Sequence, residues 1–291
     1  MRWLRRLTNA LDYIEENIEG KVDIDEVAKV AYSSSFHFQR MFYMIANVTV
    51  AEYIRKRKLT LAAQELASSR TRVIDIALKY GYETPEAFTK AFKNIHGIPP
   101  SAARRPGIKL KAYPRLSFQI SIKGDKDMDY KIINGDDYKV IGKSIRVSTK
   151  DGENYIKIPK FWEEFCQKGL DQKLMKLSDS KDMLGICMDY SKELEEITYV
   201  IAVKKTKDVK LEEFEGFEEF EIPASTWAVF QSVGSIPDAI QKVWKRIYSE
   251  WFPATGYEHS GGPEIELYPN EGLCPSDDDY RCEVWIPIIK K

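Results

Sequence analysis

The chain has 291 residues, of which 43% are hydrophobic and 31% are charged, and its formal net charge is -1. This length allows two or three domains, and the apolar fraction is ample for packed cores. The N-terminal segment is amphipathic and lacks a continuous apolar core, and no run approaches the roughly 18 residues that span a bilayer. A secretory signal and a membrane partner are therefore not expected.

The small net charge conceals an asymmetry between the two parts of the chain. Residues 1–112 contain 19 Lys and Arg against 12 Asp and Glu, which leaves 25 basic and 33 acidic residues for the remainder. The first part carries +7 and the second -8. A basic helical part is expected of a module that binds phosphates, whereas an acidic part is not.

The four cysteines form no CxxC pair, and the chain has only three histidines. No zinc site can be written at the usual ligand spacing, so neither a metal nor a cofactor is expected. Reduced thiols in a cytoplasmic protein are the favoured interpretation, and a redox role for Cys274 and Cys282 is the alternative.

The first predicted elements are an amphipathic helix that ends near Ile18 and a helix-turn-helix in residues 24–42, IDEVAKVAYSSSFHFQRMF. Ala28 permits close approach of the two helices, and the serine run 33–35 can cap the second one. Tyr32 stands at the turn position, where glycine is usual.

A long connecting helix is predicted from about Val50 to Ser68. Its basic patch, Arg55 to Lys58, lies beside an apolar stripe. A second helix-turn-helix, described next, follows this helix. Because helix-turn-helix units commonly bind DNA and the patch stands between two of them, we expect at least one phosphate contact from it.

The segment 76–104, IALKYGYETPEAFTKAFKNIHGIPPSAAR, predicts a second helix-turn-helix. Ala77 and Gly81 have the spacing of a tight turn between helices. Thr84 can cap the next helix, with Pro85 at its first position.

The two helix-turn-helix segments are copies of one pattern. Ala28, Phe38 and Phe42 in the first correspond to Ala77, Phe88 and Phe92 in the second. Two copies joined by a helix are far more specific than either copy alone.

Beyond Pro106 the composition becomes rich in strand-forming residues, and a weak internal repeat follows. Each copy has a strand, an Ile-Pro helix entry, a helix with a tryptophan (Trp162 and Trp244) and two closing strands. We therefore predict an all-α N-terminal domain with two helix-turn-helix units, followed by an α+β domain of two pseudo-repeated β-α-β-β units. The predicted boundaries are 1–106 for the domain with two helix-turn-helix motifs, 107–126 for a linker and leading strand, and 127–291 for the α+β domain.

YSSSFHFQRMF, AEYIRKRKL and the segment 76–104 together resemble the AraC/XylS family of bacterial transcription regulators, most closely its Rob-like branch. In that family both recognition helices enter successive major-groove segments on one face of double-stranded promoter DNA. The resemblance assigns base-reading positions in the first recognition helix to Phe36, Gln39 and Arg40. The corresponding positions in the second are Pro85, Glu86, Thr89 and Lys90. By its chemistry, Lys93 is expected to meet phosphate.

Residues 127–291 resemble GyrI-like effector-binding domains in MDYKI, VIGKS, the tryptophan-bearing helices and EVWIPI. The resemblance implies a ligand cleft between two pseudo-repeats that takes lipophilic or cationic molecules, with an acidic residue at its centre and aromatic residues around it. Glu283 is the first candidate for that carboxylate and Glu266 the second. Strand alternation groups each with a neighbouring aromatic residue. The remaining candidates for effector binding are Trp285, Tyr268, Trp162 and Trp227.

These observations favour a cytoplasmic regulator, not an enzyme, that binds a promoter and senses a small molecule, with multidrug sensing as its expected role. Two alternatives stay open for the C-terminal domain. It could hydrolyse its ligand, with Glu283 as general base, or it could contact other proteins without any ligand. The sequence also leaves RNA polymerase open as a further partner.

Overall fold

The computed structural model describes residues 2–117, 127–149, 152–180, 182–191, 195–207, 214, 216–269 and 274–290. The chain divides into two compact units, Met1–Ser121 and Ile122–Lys291. None of the helices in these described stretches combines the length and the apolar composition needed to cross a bilayer.

The N-terminal unit is built from helices throughout. They are α1 (Arg2–Glu16), α2 (Ile24–Val30), α3 (Ser35–Ala46), α4 (Val50–Ser68), α5 (Val73–Lys79) and α6 (Pro85–His96), followed by a 3-10 turn at Pro100–Arg104. Local capping sets the boundaries, because Ser34, Thr49 and Thr84 each accept a hydrogen bond from a backbone N–H of the first turn that follows. Asn47 and Gly97 end α3 and α6 in the left-handed conformation.

The two helix-turn-helix units have the same turn conformation despite different turn residues. Tyr32 has φ of 55° and Gly81 has φ of 78°. A Cβ atom at Gly81 would overlap the carbonyl oxygen of Gly20, so only glycine fits there. Tyr32 is 75% exposed, and the Arg6 guanidinium lies 4.7 Å from its ring centroid.

Residues 108–116 are fixed on the N-terminal unit, although the sequence predicted a linker here. The Tyr113 carbonyl oxygen accepts a hydrogen bond from Arg57 Nη1 at 2.9 Å, and the Tyr113 N–H donates to Thr60 Oγ1 at 2.9 Å. The Lys111 N–H donates to His96 Nδ1 at 3.2 Å. Residues 107–117 contain no helix or strand, and the rest of the predicted linker and leading strand, 118–126, lies outside the described residues.

The C-terminal unit is one antiparallel sheet with helices. Its elements are β1 (Tyr130–Gly135), β2 (Tyr138–Ser148), α7 (Asn154–Gln167), α8 (Leu170–Met175), β3 (Met183–Ser191), β4 (Glu196–Lys204), β5 (Glu218–Ile222), β6 (Ser225–Val233), α9 (Asp238–Arg246), β7 (Tyr257–His259), β8 (Glu264–Tyr268) and β9 (Arg281–Lys290). The strand order is β1-β6-β9-β8-β3-β4-β2-β5, with β7 paired to β9.

The two pseudo-repeats exchange their first strands. The predicted β-α-β-β units correspond to β2-α7-β3-β4 and β6-α9-β8-β9. Each is preceded by one further strand that the sequence did not predict as part of the unit. β1 pairs with β6 of the second repeat, and β5 pairs with β2 of the first. The exchange links the two repeats into one sheet.

The connectivity forces this sheet to curl. Only residues 136 and 137 separate β1 from β2, which limits the gap between these strand ends to about 10 Å. In the strand order the same strands are six steps apart, which is about 29 Å in a flat sheet. Ile133, Tyr138 and Phe220, from strands near opposite edges, accordingly pack in one cluster with Val200 and Ile265. We call the face with this cluster the inner face and the opposite one the outer face.

Candidate functional site

The residues predicted to contact DNA lie on α3 and α6, from the first turn of each helix to Lys93 in the last turn of α6. In α6, Glu86, Lys90 and Lys93 are exposed, whereas Pro85 and Thr89 are half-buried. Thr84 caps this helix by accepting a hydrogen bond from the Ala87 N–H at 3.1 Å. The exposed side chains therefore project from a helix that is fixed at its first turn.

The α3 residues have less accessible side chains. Phe36 and Gln39 are half-buried, and Arg40 is 7% exposed. A guanidinium that donates two hydrogen bonds to a guanine edge must reach into the major groove. Base reading by Arg40 thus requires its side chain to become accessible when DNA binds.

The basic patch of α4 mostly stabilises the fold. Arg57 forms two hydrogen bonds to the Glu15 carboxylate, at 2.8 and 2.7 Å, and Lys58 is buried and donates to the Gly20 carbonyl oxygen. Burial lowers the pKa of Lys58. Lys56 pairs with a glutamate one turn earlier at 2.6 Å. Arg55 is the exposed residue of the predicted patch, and a phosphate contact from it stays a prediction.

Glu266 is at the centre of a group of aromatic side chains on the outer face. Its Oε1 accepts a hydrogen bond from Trp244 Nε1 at 2.7 Å, and its Oε2 accepts one from the Tyr268 hydroxyl at 2.8 Å. Trp244 comes from α9, whereas Glu266 and Tyr268 are two residues apart on β8 and share its outer face.

The first pseudo-repeat contributes a second tryptophan and a second tyrosine to this group. Trp162 of α7 donates a hydrogen bond from Nε1 to the Tyr199 hydroxyl at 2.7 Å, and its ring lies edge-on to the Tyr268 ring at 5.4 Å. Gly185 lies directly opposite Glu266 on β3, and a Cβ atom there would overlap the Tyr199 hydroxyl. The glycine therefore leaves the space in which this hydroxyl lies.

The charge of Glu266 has no cation beside it in the part of the chain that the structure describes, since no lysine, arginine or histidine there lies within salt-bridge distance. Burial, together with the nearby Glu266 charge, holds the pKa of Tyr268 well above its usual value. Tyr268 therefore stays a neutral donor to the carboxylate, and Glu266 remains an acceptor surrounded by aromatic rings.

The structure places Glu283 elsewhere, on the inner face. Its carboxylate accepts a hydrogen bond from Trp285 Nε1 at 2.8 Å and forms a salt bridge with Lys131 at 2.9 Å. The Trp285 ring lies 6.1 Å from that of Trp227. Glu283, the first candidate for the central carboxylate, thus already has a cationic partner.

The six predicted effector residues do not form one site. In the pairing of β8 with β9, Leu267 lies opposite Glu283, and Glu266 lies opposite Val284. Residues directly opposite in a sheet point to the same face, so Glu266 and Glu283 point to different faces. Tyr268 and Trp162 lie with Glu266, and Trp227 and Trp285 lie with Glu283.

Two members of the outer-face group, Trp244 and Tyr199, were not among the predicted residues. The internal repeat contained a usable signal, because each repeat helix has one tryptophan. Trp162 and Trp244 do occupy related positions, one from each repeat helix above the sheet centre.

Two helix-turn-helix units followed by a curled α+β domain define a class of one-chain DNA-binding regulators. Residues 128–289 match the model of the GyrI-like small molecule binding domain, and residues 27–106 match that of a helix-turn-helix domain. The chain belongs to the GyrI-like family, and its N-terminal domain is of the AraC type. It is a DNA-binding AraC-type regulator with a GyrI-like small-molecule binding domain.

Curated relatives match the N-terminal part of the chain. The HTH-type transcriptional activator AarP of Providencia stuartii is 38% identical over 98 residues, which are 34% of this chain and 73% of AarP. The multiple antibiotic resistance protein MarA of Escherichia coli K12 is 36% identical over 94 residues, 32% of this chain and 74% of MarA. Among solved structures, SAV2435 bound to tetraphenylphosphonium has a TM-score of 0.49 and 19% identity, over 56% of this chain and 94% of that one.

Proposed function

We propose that the effector is a lipophilic cation that binds at Glu266 on the outer face. The observation that supports this most strongly is the carboxylate itself, which lies among Trp244, Tyr268 and Trp162 without a described cationic partner. A carboxylate without an ion pair among aromatic side chains loses part of its hydration free energy, and a ligand cation would offset that loss.

The surrounding groups favour a cation of a particular kind. Both oxygens of Glu266 already accept a hydrogen bond, so the ligand need not donate one. The aromatic rings add cation-π attraction to the charge pairing, and both are strengthened in a medium of low dielectric constant. A bulky cation with aromatic or alkyl substituents, such as a phosphonium or a quaternary ammonium, fits these conditions.

For the N-terminal domain we propose phosphate contacts by Lys93 and Arg55. We also propose contacts with base edges by the candidate residues of α3 and α6, which are Phe36, Gln39, Arg40, Pro85, Glu86, Thr89 and Lys90. We assign residues 1–106 to DNA binding, 107–126 to the connection and 127–291 to effector binding. Contact with RNA polymerase stays a prediction. A ligand can alter promoter binding only insofar as it prefers one of two states of the chain.

Thermal unfolding of the full chain with tetraphenylphosphonium tests the effector proposal. A ligand at about a hundred times its Kd should stabilise the chain by roughly 2.7 kcal/mol, which raises the midpoint temperature. Triphenylphosphine oxide is the neutral aromatic control. We expect Glu266→Gln to abolish the stabilisation by the cation.

Glu283→Gln is the matched control variant, because it removes the same charge from a carboxylate that Lys131 already neutralises. We expect it to retain the stabilisation. Equal stabilisation of wild type and Glu266→Gln would refute the assignment to Glu266. The absence of any stabilisation, with DNA binding intact, would favour the domain as a protein-interaction module, and consumption of the ligand would favour the hydrolase alternative.

A further inference from the structure

A cleft of about 500 Å³ lies on the inner face of the curled sheet. Its apolar wall includes Trp227, Trp285 and Leu267. The volume falls within the range of typical small-molecule sites. Trp285 and Leu267 are half-buried and offer contact area to a ligand, whereas Trp227 is only 1% exposed.

This cleft is separated from Glu266 by the sheet itself. Leu267 lines the cleft and follows Glu266 directly along β8, so the two side chains project to opposite faces. A molecule in the cleft therefore does not contact the Glu266 carboxylate, and the two sites can be tested independently.

Three carboxylates lie at the same cleft as the tryptophans. Asp136 and Asp137 form the short connection between β1 and β2, and Asp182 directly precedes β3. Asp136 and Asp137 are exposed, and neither has a salt bridge to any residue in the described ranges. Lys204 is the one ammonium among the described lining residues, and its Nζ lies 4.9 Å from the Tyr138 ring centroid.

We propose that this cleft is a second ligand site, which takes an amphipathic organic amine with an aromatic or alkyl body. The body lies against Trp285 and Leu267. The ammonium group lies toward the carboxylates of Asp136, Asp137 and Asp182. With three carboxylates against one ammonium, the described lining favours a cation over an anion. The proposal does not depend on the Glu266 site.

The chemistry of this cleft differs from that of the outer-face group in one respect. The carboxylates of Asp136 and Asp137 are exposed and retain lone pairs for strong charge-assisted hydrogen bonds. They therefore select a cation that can donate N–H, a primary or secondary amine, in preference to a phosphonium. The two sites should discriminate between two classes of lipophilic cation.

Isothermal titration calorimetry of the full chain with phenylbutylamine tests this proposal, and phenylbutanol, which has the same body without the charge, is the control ligand. We expect the amine to bind more tightly than the alcohol. In Asp136→Asn/Asp137→Asn its affinity should fall about fivefold, as the loss of exposed charge pairs predicts. Asp182→Asn is a second, independent variant, and unfolding midpoints verify that each variant is folded.

Prior saturation with tetraphenylphosphonium, which occupies the outer-face site, provides the site control and should leave amine binding unchanged. Equal binding of amine and alcohol, retention of full affinity in both aspartate variants, or loss of amine binding after that saturation would each overturn the proposal. A failure of tetraphenylphosphonium to bind would count only against the outer-face site.

Discussion

At the scale of single residues, Gly81 and Gly97 show two different reasons why a position requires glycine, which are a left-handed backbone and a close approach of another part of the chain. Both have left-handed backbones, with φ of 78° and 75°. A Cβ atom at Gly97 would meet nothing within 4 Å, whereas one at Gly81 would overlap the Gly20 carbonyl oxygen. Glycine at position 97 is therefore required only by the left-handed backbone. Glycine at position 81 is required both by the left-handed backbone and by the close approach of the Gly20 carbonyl.

We expect Gly97→Ala to destabilise the N-terminal unit by about 1 kcal/mol, the cost of a left-handed alanine. Gly81→Ala should cost about 1–3 kcal/mol more, because backbone atoms must shift to relieve the overlap. Urea unfolding followed by helical circular dichroism measures the difference. Equal losses in the two variants would show that the close approach to Gly20 does not constrain the turn.

At the scale of elements, His96 holds the segment 108–116 on the helices. Its Nδ1 accepts a hydrogen bond from the Lys111 N–H, so the ring proton is on Nε2, which donates to the Leu59 carbonyl oxygen at 3.1 Å. Burial lowers the pKa of His96, and the Lys111 charge lowers it further against the opposing effect of the Leu59 carbonyl. The neutral ring is thus the form that the fold requires.

This lowered pKa predicts a loss of stability in acid. The unfolded histidine titrates near 6.5, so the contribution of His96 is complete above about pH 6.5 and is lost as the pH falls through the lower folded pKa. We expect the Lys111 amide to exchange faster at about pH 5 than at about pH 7.5, after correction for intrinsic rates. His96→Gln should flatten the dependence of unfolding free energy on pH over this range, and an unchanged dependence would contradict the assignment.

Also at this scale, the sequence predicted the helices far better than the effector site. The caps at Ser34, Thr49 and Thr84 act within one turn, so their residues alone determine where helices begin. The faces to which Glu266 and Glu283 point depend on the register between β8 and β9. The sequence between the two strands does not determine this register. Alternation therefore predicted the neighbours of each carboxylate within a strand but not which carboxylates share a face.

The same limit applies to the basic patch of α4. Helical periodicity identifies Arg57 and Lys58 as neighbours of an apolar stripe, but their partners come from distant parts of the chain. Glu15 is on α1, and the Gly20 carbonyl lies in the loop after it. A charge cluster on a helix becomes structural when a buried acceptor is supplied from elsewhere, and no local pattern indicates that acceptor.

At the scale of the whole molecule, the charge distribution should govern DNA binding more than the net charge does. The chain has a net charge of -1, but residues 1–112 carry an excess of seven basic residues. Counterion release depends on the phosphates that the protein neutralises locally. We therefore expect affinity for DNA to fall steeply with salt although the calculated pI is 6.4.

Lys93 tests whether this dependence arises at α6. If its exposed ammonium contacts a phosphate, Lys93→Ala should weaken binding to every DNA sequence to a similar extent and reduce the slope of log affinity against log salt by about 0.9. Lys168→Ala removes the same charge from the C-terminal unit, where Lys168 pairs with Glu164, and should leave the slope unchanged. Filter binding across a salt series measures both slopes. If the two variants change the slope equally, the change is caused by the net charge of the protein, and Lys93 makes no phosphate contact.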